Sequence, residues 1–306
     1  MKLIDVVIVN YNSDALVNDL LNTLKFFDSE FEYNIVVVDN GSLDGSESKL
    51  KTDGKATLIS LKSNIGFSAA CNLGASHGDA EFILFLNPDC KLHMAIGHDL
   101  LATVSKSKYD DCGIFGVQLL SDDMEINKSC YRFPSIVSVL STSVGLDKVF
   151  PGLKLSSSMN DFNHNYEKIV DVVMGAFFLV RRDLFSNLNG FDERFFVYFE
   201  EVDFCYRAKL LGVKTVFIPD LSLVHLGCGS TEDIKGLRLF YSLRSRVQFF
   251  KKNSPATVFI FVLIITSCIE PVTRVVKDGL KLNSLRDTLY GYSLYFGWLF
   301  SGRKRK

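Results

Sequence analysis

At 306 residues and 47% hydrophobic content, the chain can bury one large α/β core or two modest ones, which excludes a disordered protein. Its net charge of −1 hides a division: residues 1–234 carry 20 Lys/Arg against 32 Asp/Glu, a balance of −12, whereas residues 235–306 carry 14 against 3, a balance of +11. A basic segment also rich in aromatic and aliphatic residues suits an anionic membrane surface, with no nucleic acid expected as partner. The seven cysteines are an odd number without C-x-x-C spacing, so reduced thiols are expected instead of a disulfide framework or zinc site.

In chain order, the start Met-Lys-Leu-Ile-Asp does not have a signal-peptide pattern, and export is not expected. Short β-branched runs at 3–9 and 34–38 flank a segment with Leu16, Leu20, Leu21 and Leu24 at helical spacing, which predicts a βαβ unit with parallel strands. Further apolar runs at 56–61 and 81–86 add two strands, and all four end in polar residues. Ligands of open α/β sheets bind beyond the carboxyl ends of the strands, so these four tips are expected to share a cleft. Between about 104 and 170 the pattern weakens, with loops at 121–129 and 154–168. A strand is predicted over 170–180, with Gly175 where a close backbone approach would need one. A helix follows Glu200 and is expected to end at Gly212, and another strand covers 213–218. Residues 237–252 suit a basic amphipathic helix. The uncharged run 256–269 stops at Glu270, too short for a bilayer span. The aromatic stretch 289–300 and the terminal Arg303-Lys304-Arg305-Lys306 suit a membrane interface, with a helical hairpin packed on the rest of the chain as the alternative.

Several residues could carry chemistry. Asp39, directly after an apolar strand, could accept from the ring N–H of a pyrimidine or cap the next helix, as Ser42 and Asp44 also could. Asp89 in Asn87-Pro88-Asp89 could hold Mg²⁺ or Mn²⁺, or form a local turn. Glu200, Glu201 and Asp203 follow the aromatic segment Phe195–Phe199, where apolar surroundings raise carboxylate pKa values and suit a general base. Arg207, one helical turn beyond Asp203, could pair with it and make it structural. His225 adjoins the glycine-rich run 227–231 and could reach a metal or phosphate; His77, His93, His98 and His164 lack such a context.

Taken in order, VVIVNYN (6–12), VVVDNGSLDGS (36–46), NIGFSAACNLG (64–74), FLNPD (85–89), GAFFLVRRD (175–183), GFDERFFVYFEEVDFCYRAKLLG (190–212) and HLGCGS (225–230) resemble glycosyltransferase family 2, the inverting enzymes of GT-A fold. Within it they resemble the bacterial rhamnosyltransferase-like members of surface-polysaccharide synthesis. The resemblance implies a GT-A catalytic domain over 1–234, with a nucleotide-binding half at about 1–103 and an acceptor half at about 104–234. Its sheet would be mixed and mainly parallel, flanked by helices, with a helical membrane-associating extension over 235–306. Asn10, Tyr11, Asn12, Asp39, Asn40, Asn64, Gly66, Asn72 and Asn87 would bind the nucleotide. Asp89, with His225, would hold the divalent cation, Mg²⁺ or Mn²⁺, opposite the leaving diphosphate. The branch usually carries Glu-Asp with the aspartate as base; here the pair is Glu200-Glu201, so the base would be Glu201, with Glu200 or Asp203 able to share the role. Arg244 and Arg246 would bind phosphate of the donor or acceptor, or else form a basic face on lipid. The implied partners are a nucleotide-sugar donor, with dTDP-L-rhamnose preferred, and a polyprenyl-diphosphate-linked saccharide. The implied location is the cytoplasmic face of the bacterial inner membrane, by peripheral or re-entrant contact. UDP-hexose donors, a non-catalytic sugar-nucleotide scaffold and a homodimer stay open. A dinucleotide-binding oxidoreductase would need G-x-G-x-x-G after the first strand, which is absent.

Overall fold

The computed structural model describes residues 4–24, 33–50, 56–92, 96–150, 152–227, 235–279 and 282–301. The calls on His93, on residues 228–231 and on Arg303 to Lys306 lie outside these. Strands β1 (Ile4–Asn10), β2 (Tyr33–Asp39), β3 (Thr57–Ser60) and β4 (Phe82–Leu86) lie parallel in the order β3-β2-β1-β4, crossed by α1 (Asp14–Thr23), α2 (Ser46–Lys49) and α3 (Phe67–Ala75). Every residue of β1 is buried, as expected for a parallel strand covered on both faces. Alternate side chains serve opposite cores. Ile4, Val6 and Ile8 pack with α1 and α4 (Gly97–Val104), whereas Val7 and Val9 pack with α3. Asp5 is fully buried between them and is held by the Arg182 guanidinium, the Ala80 amide and Asn34.

The sheet continues as β4-β11-β6-β12-β5, with β5 Cys90–Lys91, β6 Cys112–Leu120, β11 Phe177–Arg181 and β12 Lys214–His225. Along this path only β11 and the two-residue β5 run against the other strands, so the sheet is mixed and mainly parallel. The short β7 (Ile126–Asn127) pairs with β6, and β8 (Cys130–Tyr131) forms a separate ribbon. Two short helices, α5 (Ile136–Val144) and α6 (Leu146–Val149), follow that ribbon.

The strand expected over 170–180 is three strands: β9 (Lys168–Val170), β10 (Val172–Val173) and β11. Asp171 separates the first two because its carboxylate turns aside to accept from the Phe133 amide and the Lys209 ammonium. Each strand then serves a different neighbour: β9 joins β12, β10 joins β8, and β11 lies between β4 and β6. Gly175 faces open space, so the close approach expected there does not occur. Helix α7 (Arg182–Asn187) precedes α8 (Glu200–Leu210), and Gly212 beyond α8 has φ +80°, the left-handed conformation expected of a C-terminal glycine.

The C-terminal region is a helical layer packed on the sheet domain. Helix α9 (Lys235–Asn253) is not a basic face open to lipid: Phe240, Leu243, Val247, Phe249 and Phe250 are buried on several of its sides. Where the sequence predicts an end at Glu270, the helix continues as α10 (Ala256–Ile264), a π turn (Ile265–Ile269) and α11 (Glu270–Asp278). By length and composition alone, Ala256–Asp278 could cross a membrane. It passes through Glu270 because that carboxylate is neutralised in place by Arg246 and Arg274 and accepts from Ser143. Tyr292 and Tyr295 of α12 (Leu282–Ser301) are buried against α9, so these rings fill a helix interface instead of marking a headgroup level.

Candidate active site

The tips of β1, β2 and the turn before α3 form one polar network. Asn10 donates to Asp39 Oδ1 at 2.7 Å, and the Ser42 hydroxyl donates to the same oxygen at 2.5 Å. Ser42 Oγ also accepts from the Asn12 amide at 2.9 Å, while Asn12 Oδ1 takes the Leu43 amide at 2.8 Å. Asn12 adopts φ +54°, which asparagine tolerates better than most residues. Asp39 therefore does not cap α2; the turn before that helix is closed by Asp44, which accepts from the Ser46 amide. Asn40 reaches the other way, donating to Asn64 and the Gly66 carbonyl and accepting from the Ile65 amide. Ser42, read only as a cap, is the hub of this cluster, and its spacing of three from Asp39 is the signal that could have marked it.

This cluster is joined to the acidic segment through Gly66. Gly66 has φ +96°, and a Cβ there would lie 2.8 Å from the Phe196 carbonyl oxygen, so only glycine admits this approach. The Phe67 amide donates to Phe196 O at 2.6 Å, and the Ser68 hydroxyl donates to Phe195 O. Asn72 exchanges hydrogen bonds with the Phe191 backbone at 2.9 Å both ways, so its amide is engaged in holding the 190–193 loop.

The loop ends in strain. Tyr198 and Phe199 have φ +67° and +71°, a left-handed pair of aromatic residues costing about 1–3 kcal/mol each. That conformation sets the start of α8 and hence the directions of Glu200 and Glu201. Glu200 is buried, Glu201 is partly exposed, and Oε2 of each has no hydrogen-bond partner among the described residues. Burial raises both carboxyl pKa values, and the adjacent Glu201 charge raises Glu200 further. Glu200 therefore holds a proton more tightly, leaving Glu201 as the member of the pair that ionises more readily. Asp203 differs: fully buried, it accepts from Arg207 at 2.7 Å, from Lys252 at 2.7 and 2.8 Å and from Asn253 at 3.1 Å. Its lone pairs are occupied, as expected of a structural acid.

Asn87 and Asp89 sit on the turn after β4, held by Asn87 N–H donating to Ala176 O at 3.0 Å. His225, at the end of β12, places Nε2 at 3.3 Å from Asp89 Oδ1, and the Leu226 amide donates to Asp89 O. Asp89, Cys90 and His225 together offer three ligand atoms within 4.8 Å of one another. His225 Nδ1 is buried without a partner among the described residues, and Asp89 is 4% exposed, so this pair fits a small divalent cation. Cys90 does not add to it, since its thiol donates to Ala176 O and burial pushes it far above the usual thiol range.

Helix α9 lines the same region. Tyr241 stacks on Phe196 at 4.9 Å and lies near enough to Tyr11 and Arg244 for their charges to act on it. Arg238 donates to the Tyr198 hydroxyl and Ser245 to Val197 O, so α9 braces the strained loop. Arg244 is 8% exposed beside Tyr241, its guanidinium 5.9 Å from the Trp298 ring. Arg246 points elsewhere, into the ion cluster with Glu270. Lys252 and Tyr241 carry no sequence signal as site residues, because their partners lie some 45 or more positions away.

Residues 5–127 match the glycosyl transferase family 2 profile. The chain is similar to the N-acetylglucosaminyl-diphospho-decaprenol L-rhamnosyltransferase of Mycobacterium tuberculosis, 26% identical over 239 residues that cover 74% of this chain and 76% of that one. It is also similar to the rhamnosyltransferase WbbL of Escherichia coli, 28% identical over 233 residues, 72% of this chain and 82% of the relative. Its fold resembles the mannosyltransferase PcManGT of Pyrobaculum calidifontis, solved in complex with GDP-Man and Mn²⁺, with a TM-score of 0.58 at 14% identity over 98% of this chain and 88% of that one. With a glycosyl transferase family 2 domain matched over residues 5–127, similarity to rhamnosyltransferases and a GT-A sheet, the chain is a glycosyltransferase that resembles the rhamnosyltransferase-like members of that family.

Proposed function

We propose that the protein transfers a hexosyl group, preferably L-rhamnose from dTDP-L-rhamnose, onto a lipid-linked saccharide with inversion at the anomeric carbon. The observation that carries this reading is Glu201, a half-buried residue whose carboxyl has a raised pKa and a buried, unengaged oxygen, set by a strained turn that directly follows the Phe195–Phe196 contact with the Gly66 turn. The names of the mycobacterial and Escherichia coli relatives support a rhamnosyl donor. The mycobacterial name further supports an acceptor carried on a polyprenyl diphosphate.

In this reading Asp39 and Asn40 hold the base and ribose, with Asn10 and Ser42 fixing the Asp39 carboxylate. Glu201 takes the proton of the acceptor hydroxyl as that oxygen bonds to the anomeric carbon. The bond to the diphosphate oxygen breaks on the opposite face, and the nucleoside diphosphate leaves with its electron pair. Asp89 and His225 would hold a divalent cation, which neutralises charge on the departing diphosphate. Arg244, partly desolvated between Tyr241 and Trp298, is placed to assist there, whereas Arg246 serves the helical layer. Glu200 stays protonated and keeps Glu201 the reactive member of the pair. The catalytic unit spans 1–234 together with α9.

A panel of dTDP-, UDP- and GDP-sugars, assayed for transfer and for hydrolysis with Mg²⁺ or Mn²⁺, tests the reading. Turnover of dTDP-rhamnose is expected. Turnover of UDP-hexoses alone would move the donor, and nucleotide binding without any turnover would favour a scaffold.

A further inference from the structure

The outer surface of the helical layer has an uncharged stripe. Along the continuous helix α10 to α11, Thr257, Ile260, Phe261, Ile264, Cys268, Val272, Val275 and Val276 are exposed, recurring every three or four residues over about 30 Å. Ile260, Phe261 and Ile264 are each about half exposed or more, and Val276 is 74% exposed.

Helix α5 runs alongside and is inverted relative to a soluble helix. Its buried side carries Ser138, Ser141 and Ser143 beside Val139, while Val137, Leu140 and Val144 face outward; Leu146, Val149, Phe150 and Leu153 extend the exposed apolar area through and beyond α6. A helix in water hides its apolar face, so apolar residues outside and serines inside indicate an apolar medium against the outer surface. The ends of the stripe are cationic. Lys251 is exposed before α10, and Lys148 and Lys277 converge from α6 and α11 near Arg274, close enough that Lys148 pushes the Lys277 ammonium pKa down.

The helix is tied in place along its length. Thr273 donates to Ser143 O at 2.6 Å, Glu270 is locked to Arg246 and Arg274, and Ser267 pairs with the Tyr295 hydroxyl at 2.9 Å. Crossing a bilayer as a lone helix would break every one of these except the intrahelical Glu270–Arg274 pair.

We propose that the outer faces of α5, α6 and the α10 to α11 helix form one monotopic docking surface for an anionic phospholipid membrane, with Ala256–Asp278 lying in the plane of the interface. Lys148, Lys277 and Lys251 meet lipid phosphates at its two ends, and the apolar residues enter the acyl boundary. The sheet domain itself thus touches the membrane through α5 and α6. The surface would present the site to a lipid-linked acceptor, and in that purpose alone it rests on the function proposed above.

The test is flotation of the full chain with vesicles of phosphatidylglycerol and phosphatidylethanolamine, against vesicles of phosphatidylcholine alone. Val137→Asp combined with Phe261→Asp should cut partition by about tenfold or more on the anionic vesicles, since each change places a charge in the acyl boundary. Lys148→Glu with Lys277→Glu should weaken binding to the anionic vesicles and leave phosphatidylcholine binding nearly unchanged. All of these positions are exposed, so thermal melts and turnover of a short soluble acceptor should match the wild type. Wild-type flotation of the apolar variant would overturn the proposal. So would a solution dimer that the apolar variant dissociates while vesicle binding persists, which would assign the face to a second copy. If no nucleotide sugar is turned over but the apolar variant still loses vesicle binding, the docking surface stands and the sugar-transfer reading falls.

Discussion

The two halves of the site are built in opposite ways. The nucleotide side is assembled from two short segments joined by one βαβ crossover, Asn10 to Ser13 and Asp39 to Ser42, whose side chains satisfy one another without strain beyond the left-handed Asn12. The acid side is assembled from distant residues, with two adjacent aromatic residues at positive φ, two carboxylate oxygens unengaged, and a helix some 50 positions later holding it in place. A surface that only binds can be locally self-sufficient. A base must stay under-satisfied to accept a proton, so its position has to be enforced from outside.

The largest expected effect breaks this contrast at its centre. Glu201→Gln should lower kcat on the order of 10³-fold while nucleotide affinity stays within about threefold of wild type, read by steady-state kinetics and calorimetric titration. Retained kcat would move the base to another carboxylate.

Next is the brace. Lys252→Met leaves Asp203 with Arg207 and Asn253 but without an ammonium, and should cost about 3 kcal/mol in urea unfolding along with most of the activity. A variant of unchanged midpoint and kcat would mean that the loop holds its shape without α9.

The burial of Glu201 should appear in the pH profile. Because Glu201 must be ionised to act and burial raises its pKa, kcat should fall as the pH drops through a value above 4.5, the ordinary glutamate value. Glu200→Gln replaces a protonated acid by a neutral amide and should leave that acidic limb in place; a limb that moves downward would show that Glu200 carries charge while Glu201 titrates.

The smallest effect lies away from the site. His164, fully buried, accepts the Ser129 and Cys130 amides on Nε2 and contacts Phe162 O through Nδ1, so it is held neutral and burial lowers its pKa below 6.5. The unfolded chain protonates this imidazole first as pH falls, so its contribution is full above 6.5 and declines below it. The unfolding free energy in urea should decline more for wild type than for His164→Gln between pH 7 and 5.

How much of this the sequence disclosed follows from the same contrast. Strands β1, β2 and β4 were legible because parallel strands covered on both faces read as unbroken apolar runs ending in polar tips, and the more exposed edge strand β3 by its β-branched run. Asp39, Asp89 and the glutamate pair stood out by position, and the Asp203 and Arg207 pair by its helical spacing. Residues 104–170 were opaque: the nine-residue β6 is an apolar run that was missed, β7 to β9 are two or three residues each, below the length at which alternation can be seen, and α5 carries its serines inward. The membrane-surface expectation for α9 failed because a basic helix buried between two partners has the composition of one lying on lipid. Lys252 and Tyr241 could not be found at all, since nothing local marks a residue whose partner is defined only by tertiary contact. His164, set aside for lack of context, proved to be a buried acceptor of two backbone amides.

The Lys252 contact with Asp203 also bears on how the protein comes into being. A nascent chain can complete β1 to β12 and the nucleotide-side cluster before α9 is made, yet at that stage Asp203 lacks its ammonium and the Tyr198 and Phe199 turn lacks Arg238 and Ser245. In the function proposed above, donor binding is therefore encoded earlier in the chain than transfer. In that reading a product ending near residue 234 would lack the contacts that position Glu201, and these arrive only with α9.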